Sequence, residues 1–343
     1  MNLKKLSEIL NLSQTTVSRA LNGYPEVSDA TRERVDKAAK EHNYIPNTRA
    51  RGLATGRTHA VGHVIPLSTQ HEVVNPVFTD FIAGASEIYS RENYDMHLSV
   101  VQDTDEETAY RKIAAKGSVD GVIVHGPIEN DPRIKLLKSI GMPFVVHGRS
   151  NAEVEQDYAW VDMNNKRAFE RATKFLIDLG HQRIGLLNGL ETMDFAMRRR
   201  AGYEAAIQAA ALPLIPSLCR SDEMTEEYGY EATIAFLASD TPPTAILASS
   251  IIIGIGVRRA CSELGLTLGK EVSLIIHDDE LSYFRNAGAV PPYTATRSSV
   301  RKAGFTCAEV LMDQIASPNG PLRHVLLEAE LIIGNSTGPA PKT

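Results

Sequence analysis

From residue 60 onward, short apolar runs alternate with amphipathic stretches, and this alternation constrains the fold more than any other feature of the chain. Residues 60–66, 96–101, 119–125 and 143–147 are runs rich in Val, Ile and Leu, the composition of buried strands. Residues 78–92, 105–115 and 131–140 lie between them and carry apolar positions at helical spacing. A second cycle follows: helix 165–179, strand 183–187, helices 197–210 and 225–238, strand 245–248, helix 252–263 and strand 273–277. Apolar strands joined by helices require parallel sheets covered on both faces. Two such cycles predict two doubly wound lobes. Ligands of such sheets sit beyond the carboxyl ends of the strands, so the cleft between the lobes is the expected pocket.

The first residues follow a different rhythm. Leu3, Leu6, Ile9 and Leu10 recur at helical spacing, and a tight connection leads to Ser13, a suitable N-cap for a second helix over 14–21. Val17, Ala20 and Leu21 would face inward, leaving Gln14, Thr15, Thr16, Ser18 and Arg19 outward or at the edge. Asn22-Gly23-Tyr24-Pro25 is a turn cluster, and Ser28 caps a third helix over 29–42 that closes a small core with Val35, Ala38 and Ala39. Two short helices, a tight turn and a bracing third helix describe a helix-turn-helix module. Gln pairs with adenine, Arg with guanine, and a Thr methyl packs on a thymine methyl in the major groove. A three-helix bundle with a solvated face satisfies the same pattern. Charge separates the two regions: residues 1–60 carry +4 and the remainder −10. A basic head on an acidic body suits a head that meets phosphates.

Other chemistry finds little support. No run of eighteen apolar residues is present and the N-terminus has no signal-peptide stretch, so a cytoplasmic protein without membrane contact is expected. Cys219, Cys261 and Cys307 have neither metal spacing nor a CxxC and read as reduced thiols. Gly254-Ile255-Gly256 opens like a dinucleotide loop but has Arg259 where the third glycine belongs, so no cofactor is expected. His277-Asp278-Asp279 cannot chelate as a set, because adjacent residues on a strand point to opposite faces. No nucleophile has a paired base, and the chain is not expected to be an enzyme.

The stretch Leu12 to Gly23, with Val27-Ser28, Thr31-Arg32, Arg34-Val35 and Asn43-Tyr44-Ile45-Pro46-Asn47, closely resembles the start of LacI-family repressors. The resemblance implies that Gln14, Thr15 and Arg19 face the major groove of double-stranded DNA. It implies that Ser13, Thr16, Ser18, Asn22, Tyr44 and Asn47 lie against the backbone. Residues 47–54 resemble the family's hinge helix, with Ala50 and Leu53 in the minor groove and Leu53 as the wedge. That segment is too short to be a stable isolated helix, and Gly52 weakens it further, so it would fold only on DNA.

The resemblance continues into the body, and through it to periplasmic sugar-binding proteins. Leu179-Gly180-His181-Gln182-Arg183-Ile184-Gly185 matches the family's second-lobe entry. Arg199, three residues before Gly202-Tyr203, matches its pocket arginine, and Asp278 its pocket aspartate. Asp162, where the lobes first cross, Phe78 and Ser249 complete the candidate effector set. Guanidinium and carboxylate groups can each bind vicinal hydroxyls of a sugar. Phe78, Trp160, Phe195 and Tyr203 supply either ring faces or core. The chain departs from most relatives at Ser249-Ser250, where Asn-Asp is usual, and at Gly334, where an Arg is usual.

The expected organisation is a helix-turn-helix domain over 1–46, a hinge and linker over 47–57, and an α/β core of two parallel-sheet lobes over 58–343. Lobe one would take 58–160 and 291–322, and lobe two 161–290 and 323–340. The expected function is a homodimeric repressor of a carbohydrate operon, with a tetramer left open. It would read a palindromic operator and be released by a mono- or disaccharide. Within the family the N-terminal half is similar to regulators of α-glucoside uptake. The competing expectation is a sugar-binding or sugar-processing protein whose N-terminal bundle is incidental.

Overall fold

The computed structural model describes residues 1–44, 57–66, 75–102, 105–150 and 156–342. It separates into two compact units, Met1–His59 and Ala60–Thr343. The expected hinge, with Asn47, Ala50 and Leu53, lies outside the described residues.

The first unit contains α1 (Leu3–Leu10), α2 (Gln14–Leu21) and α3 (Asp29–Glu41). Each begins at a side-chain cap: Asn2 accepts from the Lys5 amide, Ser13 from Thr16 and Ser28 from Thr31. Such caps satisfy backbone donors that the first helical turn leaves unpaired. Leu6, Leu10, Val17, Ala20, Val35, Ala38 and Ala39 form the core. Ile9, expected among them, is 49% exposed. At 100° per residue, Leu3, Leu6 and Leu10 share a face and Ile9 falls beside it.

The second unit holds two six-stranded sheets of one repeated topology. The first is built from β1 (Ala60–Pro66), β2 (Asp95–Val101), β3 (Gly121–His125), β4 (Phe144–His147), β5 (Ala159–Met163) and β11 (His324–Leu327). Its order is β11-β5-β4-β3-β1-β2, and all its pairings are parallel. The second contains β6 (Ile184–Asn188), β7 (Cys219–Ser221), β8 (Ala245–Ala248), β9 (Ser273–Asp278), β10 (Thr294–Arg297) and β12 (Glu330–Ile332). Its order is β12-β10-β9-β8-β6-β7, with only β12 antiparallel. In each sheet the first five strands follow the 2-1-3-4-5 order of a flavodoxin-like sheet.

Helices cover both faces: α4 (Pro76–Arg91), α5 (Glu106–Lys116) and α6 (Pro132–Ser139) follow strands of the first sheet. The helices α7 (Asn165–Asp178), α8 (Asp194–Ala209), α9 (Glu226–Leu237) and α10 (Ile251–Glu263) belong with the second, and α11 (Val300–Ala316) returns to the first. Strand alternation splits the side chains of the first sheet. Val122, Val124 and Val146 pack with Tyr110 and Leu137, while Ile123, Val145 and Val161 pack with Phe81, Ile88 and Leu311. Each fully buried side chain of this size contributes roughly 1.5–3 kcal/mol.

The α4–α11 crossing is held by two glycines. A Cβ at Gly84 would sit 1.9 Å from the Arg301 carbonyl oxygen, and one at Gly304 would sit 2.0 Å from that of Phe81. This close approach fixes α4 and α11 against each other, and with them Phe78, Val300 and Ala303, which line the cavity between the two sheets.

The lobe boundaries differ from those expected. Strand β10 (294–297) belongs to the second sheet and β11 (324–327) to the first, the reverse of the expected assignment. Strand β5 keeps residues 161–163 in the first sheet. The chain therefore crosses between lobes after β5, after β10 and between β11 and β12. These strands are three to five residues long, and nothing local states which sheet they join.

Candidate functional site

In the first unit, the Ser13 hydroxyl bonds both the Thr16 amide and, at 2.8 Å, the Thr16 hydroxyl. This anchors the start of α2 and leaves Gln14, Thr15 and Arg19 exposed, while Thr16 and Ser18 are half-buried. Asn22 closes the helix by donating to the Ser18 carbonyl at 2.8 Å. Tyr44 packs partly against the small core. Three polar side chains thus stand clear on one short helix whose far side is core.

In the second unit a cavity of about 480 Å³ opens between the two sheets. This is within the ~300–1,000 Å³ range of small-molecule pockets. It is lined from strand ends: His125 closes β3, His147 closes β4, Asp162 lies in β5, and His277 and Asp279 lie at the end of β9. The N-terminal turns of α4 and α8 contribute Phe78, Phe195, Arg198 and Arg199.

Arg199 is buried and well held. Its Nε donates to Asn165 Oδ1 and its Nη1 to the Ser249 carbonyl, both at 2.7 Å. Its guanidinium lies 5.1 Å from the Phe169 ring centroid and 4.9 Å from that of Phe195. Burial pushes it down to about 10, so it stays charged at neutral pH. Asp279 faces the same cavity and is bonded by His277 Nε2 at 3.3 Å. Burial alone would raise its carboxyl, but His277, Arg199 and His147 hold it below the ordinary carboxylate range. Asp162 accepts from Arg149 Nε at 2.8 Å and is also bonded by Arg198, so one carboxylate joins arginines from both lobes.

Arg199, Asp162 and Phe78 therefore meet at one cavity, as expected. Two expected residues do not. Asp278 is turned away: it accepts from Arg297 Nε at 3.0 Å and from the Glu280 amide at 2.9 Å. Strand β9 places His277 and Asp279 on the cavity side and Asp278 on the other, so Asp279 is the lining carboxylate. Ser249 lies behind Arg199; its hydroxyl donates to Asn188 Oδ1 at 2.8 Å and its carbonyl receives Arg199. Ser250 caps α10. Phe195 lines the cavity, whereas Tyr203 donates to the Ile184 carbonyl in the core and Trp160 stacks on His324. At Gly334 a Cβ would lie 2.4 Å from the Tyr293 carbonyl group, so an arginine has no room in this backbone path.

Sequence reasoning missed His125, His147, Asn165, Arg198 and Asp279. For the two histidines a usable signal existed. Each ends an expected strand, where such sheets bind ligands. Among the described residues, no group of three His, Cys, Asp or Glu is placed to hold a metal ion.

Comparison with known proteins agrees with this division. The profile of the bacterial regulatory proteins, lacI family, matches residues 10–47, and that of the periplasmic binding protein-like domain matches residues 173–337. The HTH-type transcriptional regulator AglR of Rhizobium meliloti (strain 1021) is 43% identical over 341 residues, covering 99% of this chain and 95% of the relative. A solved transcriptional regulator CelR–cellobiose complex is 26% identical with a TM-score of 0.72, covering 98% of this chain and 99% of that one. The lac repressor dimer, bound to operator and the anti-inducer ONPF, shares the fold with a TM-score of 0.84 at 24% identity, covering 98% and 99%. A helix-turn-helix unit with an exposed polar helix, a two-lobed periplasmic-binding-like body and 43% identity along nearly the whole chain make this protein a transcriptional regulator of the LacI family.

Proposed function

We propose that this regulator represses a carbohydrate-utilisation operon and is released from its operator by a neutral disaccharide, an α-glucoside. One observation carries the ligand class: Arg199 and Asp279 face one cavity, and no direct ion pair joins them among the described residues. A donor-rich cation and an acceptor-only anion, balanced in charge, suit a ligand of many hydroxyls and no net charge. Phe78 and Phe195 add the ring faces on which a pyranose packs. The cellobiose complex of a 26%-identical regulator supports a neutral disaccharide, and the sequence resemblance supports the α-glucoside.

On the DNA side, Gln14, Thr15 and Arg19 read bases, and Ser13, Thr16, Ser18, Asn22, Tyr44 and Asn47 hold the backbone. Ala50 and Leu53 enter the minor groove at the operator centre. A homodimer matches a palindromic operator. Effector binding shifts the lobes, uncouples hinge folding and lowers operator affinity.

Fluorescence anisotropy tests this with DNA from the upstream intergenic region at physiological salt, titrated with maltose, sucrose, trehalose and cellobiose. Specific binding relieved by one sugar is expected. Absence of specific DNA binding would leave only a sugar-binding body. Tighter binding on sugar addition would make the sugar a corepressor.

A further inference from the structure

The first-lobe wall of the cavity contains a hydrogen-bonded chain that effector contacts alone do not explain. Tyr89 of α4 is buried, and its hydroxyl lies 3.0 Å from Nε2 of His63 in β1. His63 is fully buried, and its Nδ1 lies 3.0 Å from Nε2 of His125. His125 lines the cavity, and among the described residues its ring is hydrogen-bonded through Nε2 alone, which leaves Nδ1 for a ligand. Phe78 and Phe81 pack edge-on against its ring, with centroids 5.3 and 4.9 Å away, and fix its orientation.

The protons in this chain can be assigned. Burial pushes His63 down to about 3 and His125 well below its ordinary value, so both imidazoles are neutral and each carries one N–H. Burial also pushes the Tyr89 phenol far up, so it keeps its proton. That proton has one hydrogen-bond acceptor among the described residues, His63 Nε2. If His63 donated to the phenol oxygen instead, the phenol proton would be stranded in packed surroundings. The cost of a stranded donor biases the population on the order of tenfold or more against that arrangement. With Tyr89 donating to Nε2, His63 carries its proton on Nδ1 and donates to His125 Nε2. His125 must then carry its own proton on Nδ1. The tautomer of each ring is set by the bond its other nitrogen makes.

We propose that Tyr89 and His63 are positioning residues that lock His125 as a hydrogen-bond donor into the cleft, so that the effector must present an oxygen lone pair there. This rests on the effector reading of the cavity. The opposite wall supplies donors, Arg199 foremost, and acceptors, Asp279 foremost. A locked donor on the first lobe makes recognition directional: a hydroxyl, ring or glycosidic oxygen satisfies it, whereas a methylene or an N–H leaves it unpaired.

Two-bond 1H–15N correlation spectra of the full chain, labelled with 15N-histidine and free of ligand at pH 7.5, test the assignment. His63→Gln and His125→Gln spectra identify the signals. Both rings are expected as the Nδ1–H tautomer, and an Nε2–H tautomer at either would overturn the proposal. Tyr89→Phe should release the lock, giving mixed tautomers at His125 and weakening maltose binding about three- to tenfold by calorimetry. Unchanged tautomers and unchanged affinity would also overturn it. Thermal unfolding followed through Trp160 reports whether the variant is folded. If maltose does not bind the wild-type chain, the α-glucoside reading fails while the tautomer spectra still decide the lock.

Discussion

Lowering the pH from 7.5 to 5.0 should destabilise the two-lobed body by about 3–4 kcal/mol through His63 and His147, both neutral in the folded state. In the unfolded chain a histidine titrates near 6.5. Burial holds His63 down to about 3 and His147 to about 4 in the folded chain. Below pH 6.5 the unfolded chain therefore takes up protons that the folded chain refuses. The stability is complete above about pH 6.5 and is lost as the pH falls toward 4 and then 3. At pH 5.0 the refused proton at His63 costs about 2 kcal/mol. His147 adds slightly less than the same amount, because its folded value of about 4 lies closer to the unfolded one. His125, His181 and His277 are also lowered and act in the same direction. The buried carboxylate Asp279 is lowered from an already acidic value and does not enter this window.

A domain holds only about 5–15 kcal/mol in all, so the expected loss is a large share. The single tryptophan, Trp160, lies in β5 of the body, so its fluorescence follows the body and not the helix-turn-helix unit. Urea unfolding at fixed protein concentration and at the two pH values should show a lower midpoint at pH 5.0. His63→Gln should remove about 2 kcal/mol of the pH dependence. An equal or higher midpoint at pH 5.0 would refute the burial argument.

Three further outcomes follow from the two sites. Gln14→Ala or Arg19→Ala should cost about 1–3 kcal/mol of operator affinity and relax preference at one base pair, measured by anisotropy on singly substituted operators; an unaltered preference profile would remove these residues from base reading. Leu53→Ala should weaken operator binding while calorimetry finds sugar affinity retained; equal operator affinity in the variant refutes the wedge. Asp279→Asn should abolish sugar binding in calorimetry, whereas Asp278→Asn should retain it because that side chain bonds Arg297 and the Glu280 amide. The reverse result would mean that strand β9 presents the other face.

Local sequence determined much of this protein. Caps at Ser13 and Ser28, together with the spacing of Leu6, Leu10, Val17 and Ala20, specified the three short helices. Alternating apolar runs and amphipathic helices specified two parallel lobes with a cleft at their strand ends. These features are legible because hydrogen bonding within helices and the burial of one face are properties of neighbouring residues. Arg199 follows from the family resemblance, Asp162 from its place where the lobes first cross and Phe78 from its aromatic ring, and the cavity holds all three.

Tertiary structure decided the rest. Whether β10 and β11 join the first or second sheet depends on pairings between residues far apart in the chain, such as Val325 with Val161 and Ala295 with Ile276. The choice of Asp279 over Asp278 turned on the strand's facing, since a one-residue step moves a side chain to the opposite face. The Tyr89–His63–His125 chain joins three elements separated by up to 62 residues, and only the packed sheet brings their polar atoms to 3.0 Å. Sequence supplies the donors and acceptors, but direction and partner are set by which buried groups have nowhere else to send a proton.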